Sequence, residues 1–340
     1  MQSKKNIIII TTVNIPSNLY EFKRLDPSNQ WDYLVVGDLK TNHDAVSEVC
    51  HEVGGLYLTP ADQEKLGFTH SAAIGWNCIE RKNIGYLFAL KNGYDLVGSL
   101  DDDNFPTDGW FEGIKVGDSE EDVYKTDTGW LNAADWADAP YKLRGFPISM
   151  FHTTPSIEVN RAKVRVGVQS GLVLGDPDTD AISRIVNKPN VTNYSRMNFC
   201  LSKGTMCPYN TQNTILVKEL VPANMMWAGC GRYDDIFASY VGQIIAWRYG
   251  YSVRYGDPLA KQERNQHDLV KDLEEELLGM RVQSRFLEAI ANISLVGPSP
   301  VHDLRHLVHT LVGEVPSLPR SLRHMVDTWF FDISRILSEG

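Results

Sequence analysis

Short apolar runs alternate with helical patterns over the first hundred residues, and this alternation constrains the fold more than any other feature. Residues 6–12, 31–37 and 94–100 are rich in β-branched and aromatic side chains, which is typical of buried strands. The segments 44–54 and 72–90 carry apolar residues at helical spacing. The alternation predicts an α/β fold, in which a mostly parallel sheet has helices on its faces.

Polar side chains follow three of these predicted strands. Those after the first two strands are Thr11, Thr12, Asn14 and Asp38. The third strand runs directly into a carboxylate triplet, Asp101-Asp102-Asp103. Because the carboxyl ends of parallel strands meet at one edge of a sheet, where ligands bind, we expect all these side chains to face one crevice.

The carboxylate triplet needs a positive partner. Adjacent carboxylates repel one another by roughly 1 kcal/mol per close pair even in water. Mg²⁺ and Mn²⁺ prefer oxygen ligands and are the natural partners. In an extended segment Asp101 and Asp103 would share one side and Asp102 would face the other. A solvated acidic turn without any ligand is the alternative.

Composition excludes several classes of protein. The chain has 33 Lys and Arg against 43 Asp and Glu, a formal charge of −10, and no basic cluster, so nucleic acid is not an expected partner. Five cysteines without CxxC spacing indicate neither a disulfide framework nor a zinc cage. The first apolar run is too short for a membrane span, so we expect a cytoplasmic protein.

The composition changes after His267. Residues 268–293, 301–312 and 321–337 are amphipathic helical segments separated by proline-containing breaks. We therefore expect two units, a catalytic domain over 1–267 and a helical C-terminal extension over 268–340. Helices of this kind often mediate association, which predicts a homo-oligomer. Residues 108–213 are expected to be rich in loops.

The segment from Arg81 to Asp103 resembles the nucleotide-sugar-binding half of GT-A glycosyltransferases. It contains an R-x-N-x-G helix, a glycine turn, an apolar strand and then a D-x-D sequence, in the order of that family. The resemblance implies a GT-A-like, Rossmann-like fold. It also implies that Asp101 and Asp103 hold Mn²⁺ or Mg²⁺ on the diphosphate of a sugar nucleotide. The same two side chains would supply the contact with the ribose.

The same resemblance assigns further donor contacts. Arg81 would assist from the helix, either on the donor or as an ion pair with the triplet. The remaining candidates for nucleotide-sugar binding are Thr11, Thr12, Asn14, Asp38, Asp101, Asp102, Lys261 and Arg264. His267 would be a third metal ligand, although a surface histidine is the plainer interpretation.

Later motifs resemble two related groups of proteins. Their order is R-G-F-P at Arg144, G-D-P-D-T-D-A at 175–181, N-T-Q-N-T at 210–214 and R-Y-D-D-I-F at 232–237. Together with the triplet they are similar to the STELLO-type glycosyltransferases. A subset is similar to the reversibly glycosylated polypeptides, which are UDP-arabinopyranose mutases. Those mutases carry a second arginine seven residues after the first, where this chain has Phe151.

These resemblances imply roles for the acidic residues of the second half. Asp234 or Asp235 would be the base that deprotonates an acceptor hydroxyl, although both could simply cap a helix. Arg144 would bind diphosphate or acceptor in a transferase, and would be glycosylated in a mutase. The candidates for acceptor or sugar contacts are Asp176, Asp178, Asp180 and Trp227.

Three functions remain open at this point. The first is a metal-dependent glycosyltransferase that uses a nucleoside-diphosphate sugar, which the resemblance implies is a UDP-sugar, and a glycan or other hydroxyl acceptor. The second is a UDP-sugar pyranose/furanose mutase, which needs no acceptor. The third is a non-catalytic assembly subunit that retains the sugar-nucleotide fold.

Overall fold

The computed structural model describes residues 6–339, so the first five residues of the predicted catalytic domain and the last residue of the predicted extension lie outside it. The strands are β1 (Asn6–Thr11), β2 (Trp31–Val36), β3 (Leu56–Leu58), β4 (Leu96–Leu100), β5 (Asn104–Pro106), β6 (Gly117–Thr126), β7 (Ile157–Gly175), β8 (Phe199–Leu201), β9 (Asn213–Val217) and β10 (Ser252–Gln262). The α-helices are α1 (Asn18–Leu25), α2 (His43–Val53), α3 (Pro60–Lys65), α4 (His70–Ile74), α5 (Lys82–Lys91), α6 (Ala181–Val186), α7 (Asp234–Arg248), α8 (Leu269–Asn292), α9 (Pro300–Glu314) and α10 (Ser321–Glu339).

The strands form one sheet in the order β3-β2-β1-β4-β9-β7-β6-β8-β10-β5. The β3-β2-β1-β4 part is parallel and has the strand order of a Rossmann-like half, which confirms the predicted α/β class. Beyond β4 the sheet is mixed, because β9 pairs antiparallel with both β4 and β7. Residues 108–213 are rich in loops, as expected, but they also contain two strands that the sequence did not indicate, β6 and the 19-residue β7.

Local sequence explains the elements around the parallel half. The four isoleucines of β1 are fully buried because helices and neighbouring strands cover both faces of the sheet. Helix α2 begins after Asn42, whose side chain accepts a hydrogen bond from the Ala45 amide, and ends at Gly54 with φ of 70°. These elements place the carboxyl ends of β1, β2 and β4 side by side.

The C-terminal helices pack against the sheet layer. Helix α8 begins at Asp268, whose carboxylate accepts from the amides of Val270 and Lys271. Buried side chains of α8, α9 and α10 belong to the same hydrophobic cluster as those of α5 and α7. In α10, Asp332 accepts from the amides of Thr69 and His70, at 3.1 and 2.8 Å. None of the helices within residues 6–339 combines the length and apolar character that crossing a bilayer requires.

Candidate functional site

The carboxyl ends of β1, β2 and β4 enclose a pocket of about 250 Å³, which we call the strand-end pocket. The residues from these strand ends that line it are Thr11, Thr12, Asn14, Asp38 and Asp102. The opposite wall comes from the loop at Asn77, Cys78 and Ile79. The expected crevice therefore exists, and it brings together the predicted polar side chains of β1 and β2 with Asp102, whereas Asp101 and Asp103 do not line it.

Asp38 shapes this pocket through the loop opposite. Its carboxylate accepts hydrogen bonds from the amides of Asn77 and Cys78, at 2.8 and 3.0 Å. Thr41 donates its hydroxyl to the carbonyl of Thr12 at 2.8 Å, which joins the two strand ends. The buried hydroxyl of Thr11 has no hydrogen-bond partner among the described residues. Asp38 thus holds the wall of the pocket, while Thr11 retains a free hydroxyl there.

Arg81 does not contact the carboxylate triplet. Its buried guanidinium donates to Gln63 Oε1 at 2.9 Å, to the Ser71 hydroxyl at 3.0 Å and to the Gly75 carbonyl at 3.1 Å. It also lies 3.8 Å from the centroid of the Trp76 ring. Burial lowers the pKa of Arg81 to about 10. The ion pair expected between Arg81 and the triplet is wrong, and the side chain instead fixes the loop before α5.

Lys82 is the cation that sequence reasoning missed. Its side chain is fully buried, and Nζ donates to Asp101 Oδ1 at 3.0 Å and to the carbonyls of Leu100 and Thr211, both at 3.1 Å. Lys82 directly follows the arginine of the R-x-N-x-G pattern. Its position beside that motif was the available signal, but spacing alone did not reveal which of the two buried cations reaches the triplet.

The three carboxylates point to different partners. Asp102 accepts from the Thr12 hydroxyl and from Asn14 Nδ2. Asp103 accepts from Gln262 Nε2 at 3.2 Å and from the Asn265 amide at 3.4 Å. The shared side expected for Asp101 and Asp103 assumed an extended segment, whereas Asp102 and Asp103 lie in a turn. The triplet therefore spreads between β1, α5 and the end of β10.

The negative charge of the triplet is only partly neutralised by cationic side chains of the described residues. Burial, followed by the charges of Asp101 and Asp102, raises the pKa of Asp103 to about 6. Burial also raises the pKa of Asp101, although Lys82 opposes that shift. Among the described salt bridges, Lys82 is the one cation paired with the triplet. A positive ligand would relieve this repulsion.

The donor atoms around the triplet fit an oxygen-coordinated divalent cation. Beside the carboxylates, the buried amide oxygens of Asn104 and Gln262 have no hydrogen-bond donor among residues 6–339. Within the same residues no three His, Cys, Asp or Glu side chains converge as a complete ligand set. Mg²⁺ commonly takes one or two carboxylates and completes its shell with water and substrate phosphate oxygens, so a partial protein set is compatible with it.

His267 lies in a different environment from the one predicted. Its Nδ1 is 3.2 Å from Asp272 Oδ1, close to the start of α8. It lines a second pocket together with Arg264 and Asp176, and belongs to no three-residue metal group within the described chain. The prediction of His267 as third ligand to a metal at the triplet is therefore not supported. Lys261 is exposed and lies 3.5 Å from Glu263.

Arg144, Asp178 and Asp235 form a buried group that we call the paired cluster. Arg144 is 9% exposed and reaches Asp178 at 2.8 Å and Asp235 at 3.0 Å. Asp235 also accepts from the Thr211 amide at 3.1 Å, and Asp178 from Asn210 Nδ2 at 3.0 Å. The arginines around Asp178 hold its pKa far below the ordinary value, despite the opposing effect of burial. Saturated carboxylates of this kind are poor bases.

Three other predicted site residues serve the fold. Asp234 is buried and accepts the Asp235 amide at 2.7 Å; burial, Asp235 and Glu80 raise its pKa well above the ordinary value. Asp180 caps α6 by accepting from the Ser183 amide at 2.9 Å. Trp227 is fully buried beside Phe237 and Phe286, so it cannot stack on a sugar. Sequence spacing did not distinguish these inward-facing side chains from exposed ones.

The chain is similar in sequence to known proteins of the same two groups that its motifs resemble. No protein-family model matches the chain. It is 23% identical over 322 residues to the probable glycosyltransferase STELLO1 of Arabidopsis thaliana, which covers 84% of this chain and 41% of that protein. It is 32% identical over 123 residues to UDP-arabinopyranose mutase 1 of the same plant, covering 34% of this chain and 32% of the mutase. The chain thus spans about two fifths of the STELLO relative and a third of the mutase.

Solved structures give weaker likenesses. Glucosyl-3-phosphoglycerate synthase from Mycobacterium tuberculosis superimposes with a TM-score of 0.41 at 10% identity, covering 94% of this chain and 81% of that one. Mannosyl-3-phosphoglycerate synthase from Rubrobacter xylanophilus gives 0.42 at 13% identity, over 87% and 77% of the two chains. Because the TM-scores and sequence identities are this low, we infer nothing about the reaction from these structures. The sequence relatives confirm the predicted resemblance: the chain is similar to STELLO-type glycosyltransferases over most of its length, and to UDP-arabinopyranose mutases over about a third of it.

Proposed function

We propose that this chain is a metal-dependent glycosyltransferase that uses a nucleoside-diphosphate sugar, in the first instance a UDP-sugar. The observation that carries the proposal is the carboxylate triplet, which stands beside the strand-end pocket with Lys82 as its paired cation. A sugar nucleotide needs a pocket for the nucleoside and a positive centre for the diphosphate. The similarity to STELLO proteins and UDP-sugar mutases supports the same ligand class.

Each part of the triplet has its own task in this proposal. Asp101 and Asp103 would hold Mn²⁺ or Mg²⁺, which neutralises charge on the leaving diphosphate. Lys82 fixes Asp101, while Gln262 and Asn265 fix Asp103. The remaining side chains bind and orient the donor. We assign the nucleoside to the strand-end pocket, with Thr11, Thr12 and Asn14 as its polar contacts and Asp38 as the support of the facing loop.

The transfer step places one demand on the protein beyond donor binding. As the acceptor oxygen bonds to the anomeric carbon, the bond to the diphosphate oxygen breaks and its electron pair leaves with the nucleotide. The hydroxyl proton must pass to a base. Asp234, Asp235 and Asp178 are buried. Asp176 pairs with Arg184 and Lys188, but its side chain is 18% exposed and lines a pocket. Because it is the most accessible of these four aspartates, we assign the proton to Asp176.

A mutase is the second candidate, because Arg144 of the R-G-F-P motif lines a small cavity with Asp178 and Asn210. The charges of Asp178 and Asp235 raise the pKa of Arg144 well above its ordinary value, against the effect of burial. Its nitrogens already donate to Asp178, Asp235 and the Arg232 carbonyl, and this occupancy disfavours arginine glycosylation. Phe151 replaces the second arginine of the mutases. Both observations favour the transferase.

Measurements of nucleotide release and of sugar-ring isomerisation distinguish the transferase from the mutase. The protein is incubated with UDP-sugars and Mn²⁺, with and without a panel of hydroxyl acceptors, and each reaction is repeated with EDTA. The transferase predicts metal-dependent UDP release that increases when the correct acceptor is present. Isomerised donor without UDP release would overturn it in favour of the mutase. Absence of donor binding, measured by thermal shift, would leave the non-catalytic assembly subunit.

A further inference from the structure

Arg264 carries a buried guanidinium that makes no hydrogen bond within residues 6–339. Its side chain is 8% exposed, and its nearest carboxylate oxygens belong to Asp178 and Asp272, both 3.9 Å away. Those separations exceed hydrogen-bond length. Arginine has five N–H donors, and leaving them without acceptors in a buried position is costly. Burial accordingly lowers the pKa of Arg264. An anion that accepts from these donors would remove the cost.

Arg264 lines a pocket of about 340 Å³, which we call the cationic pocket. Arg184, Lys188 and His267 line it as well, with Asp176 as its carboxylate. The three cations Arg184, Lys188 and Arg264 exceed the single carboxylate of the lining, Asp176, with which Arg184 and Lys188 both pair. Arg184 Nε is a second buried donor without an acceptor among the described residues. The unpaired donors and the charge point to the same ligand property, a compact anionic group.

The cationic pocket adjoins the carboxylate triplet but shares no lining residue with the strand-end pocket. Asn265 of the cationic pocket donates its amide to Asp103 and its Nδ2 to Asp102 Oδ1, both at 3.4 Å. The other carboxylate oxygen of Asp102 accepts from Thr12 and Asn14. The triplet therefore connects the two pockets. A ligand in the cationic pocket would lie next to the position given to the donor diphosphate.

We propose that the cationic pocket binds the phosphate or carboxylate group of an anionic acceptor. The inference rests on the proposed function, because it is that function which places an acceptor beside the triplet. Guanidinium groups recognise phosphate and carboxylate through paired N–H donors, and Arg264 supplies such donors. Arg184 adds its Nε, since its other nitrogens bind Asp176 and the Pro177 carbonyl, and Lys188 lies at the rim. The acceptor class is thus a small molecule that carries both a hydroxyl and an acidic group.

Calorimetric titration of the full chain with inorganic phosphate tests the proposal, in the presence and absence of saturating UDP and Mg²⁺. The variants are Arg264→Gln and Lys188→Gln, and the matched control is Lys203→Gln, an exposed lysine that lines neither pocket. Lys188 is 73% exposed, so its replacement leaves the fold intact. Phosphate should bind the UDP-loaded protein, and Arg264→Gln should weaken it by about tenfold or more. Lys188→Gln should weaken it less, and the control should not change it.

Two results would overturn the assignment. Equal phosphate affinity in all variants, or no binding to the parent protein, removes the site. Competition between phosphate and UDP, with UDP affinity lost in Arg264→Gln, gives Arg264 to the donor diphosphate instead. UDP binding measured in parallel keeps the two proposals separate. If the parent protein does not bind UDP, the donor assignment is contradicted. If it binds UDP but not phosphate, only the acceptor assignment is contradicted.

Discussion

The carboxylate triplet and the paired cluster both contain buried aspartates, but their charges are balanced to different degrees. In the paired cluster, Arg144 lies between Asp178 and Asp235, the second oxygen of Asp178 accepts from Arg232, and that of Asp235 accepts from the Thr211 amide. In the triplet, Lys82 reaches Asp101, and Asp103 has a raised pKa. The contrast shows that the number of acidic residues does not by itself identify a ligand site. Acidic residues become candidates for ligand binding when the cations of the protein leave their negative charge unbalanced.

Removing the cation of the paired cluster should have the largest effect. Arg144→Ala leaves two buried carboxylates without their partner, and we expect a loss of about 3 to 5 kcal/mol in the free energy of unfolding. The matched control is Arg161→Ala, which removes an exposed ion pair to Asp122 and should cost less than about 1 kcal/mol. Urea unfolding measures both. Equal losses in the two variants would mean that the paired cluster is not a stabilising unit.

Neutralising the triplet should affect turnover rather than stability. Asp103→Asn removes a proposed metal ligand and should lower sugar-nucleotide turnover by about 10² to 10³-fold, because transition-state charge is left uncompensated. Its melting temperature should stay the same or rise, since a like charge is removed. Asp108→Asn, at a position 88% exposed, is the control and should retain activity. An inactive Asp103→Asn protein that has also lost its melting transition would contradict this division of roles.

The pH dependence of stability should distinguish the two groups. Asp103 has a pKa of about 6 in the folded protein against 3.8 for the ordinary carboxyl, so the folded state binds more protons between these values. The stabilisation is present below pH 4 and is lost as pH rises through 6, on the order of 3 kcal/mol. Asp178, whose pKa is depressed, contributes the opposite sign at low pH.

Divalent cations sharpen that pH experiment. Mg²⁺ or Mn²⁺ competes with the proton at Asp103, so the melting temperature should increase with added metal more at pH 7 than at pH 5. The Asp103→Asn variant should lose both the pH slope and the metal effect. A metal effect that is the same at both pH values, or that survives in this variant, would place the cation elsewhere.

Neighbouring aspartates at the start of α7 give the smallest expected effect. Asp234→Asn replaces a buried carboxyl whose pKa is already raised, so turnover should be unchanged and stability should shift by no more than about 1 kcal/mol. Asp235→Asn disrupts the paired cluster and should destabilise the protein more. A loss of turnover in well-folded Asp234→Asn protein would restore Asp234 as the acceptor base.

The sequence predicted the parallel half of the fold and the position of its ligand edge. Periodicity located β1, β2, β4 and α2, and the meeting of their polar ends followed from strand direction. The long strand β7 was missed because its exposed half, rich in lysine, arginine and glutamate, carries little apolar signal. The domain boundary at 267 and the predicted oligomer stay predictions, as does the cytoplasmic location.

Side-chain direction was the part that the sequence could not predict. Arg81 and Lys82 are adjacent cations, yet Lys82 reaches the triplet and Arg81 the preceding loop. Asp234 and Asp235 likewise differ only in rotation about α7. Spacing assigns residues to an element, whereas their partners come from other segments, some of them as distant in sequence as Thr211 is from Lys82.

The hydrogen bonds that Asp332 accepts at the start of α4 affect the order in which the structure can form during synthesis. It fixes the amides of Thr69 and His70 from 262 or more positions further along the chain, and the loop stabilised by Arg81 follows directly. During synthesis on the ribosome, the chain up to α9 emerges without that anchor. The wall opposite β1 therefore reaches its final form only after α10 has been made, so the binding cleft depends on a helix that is distant in sequence.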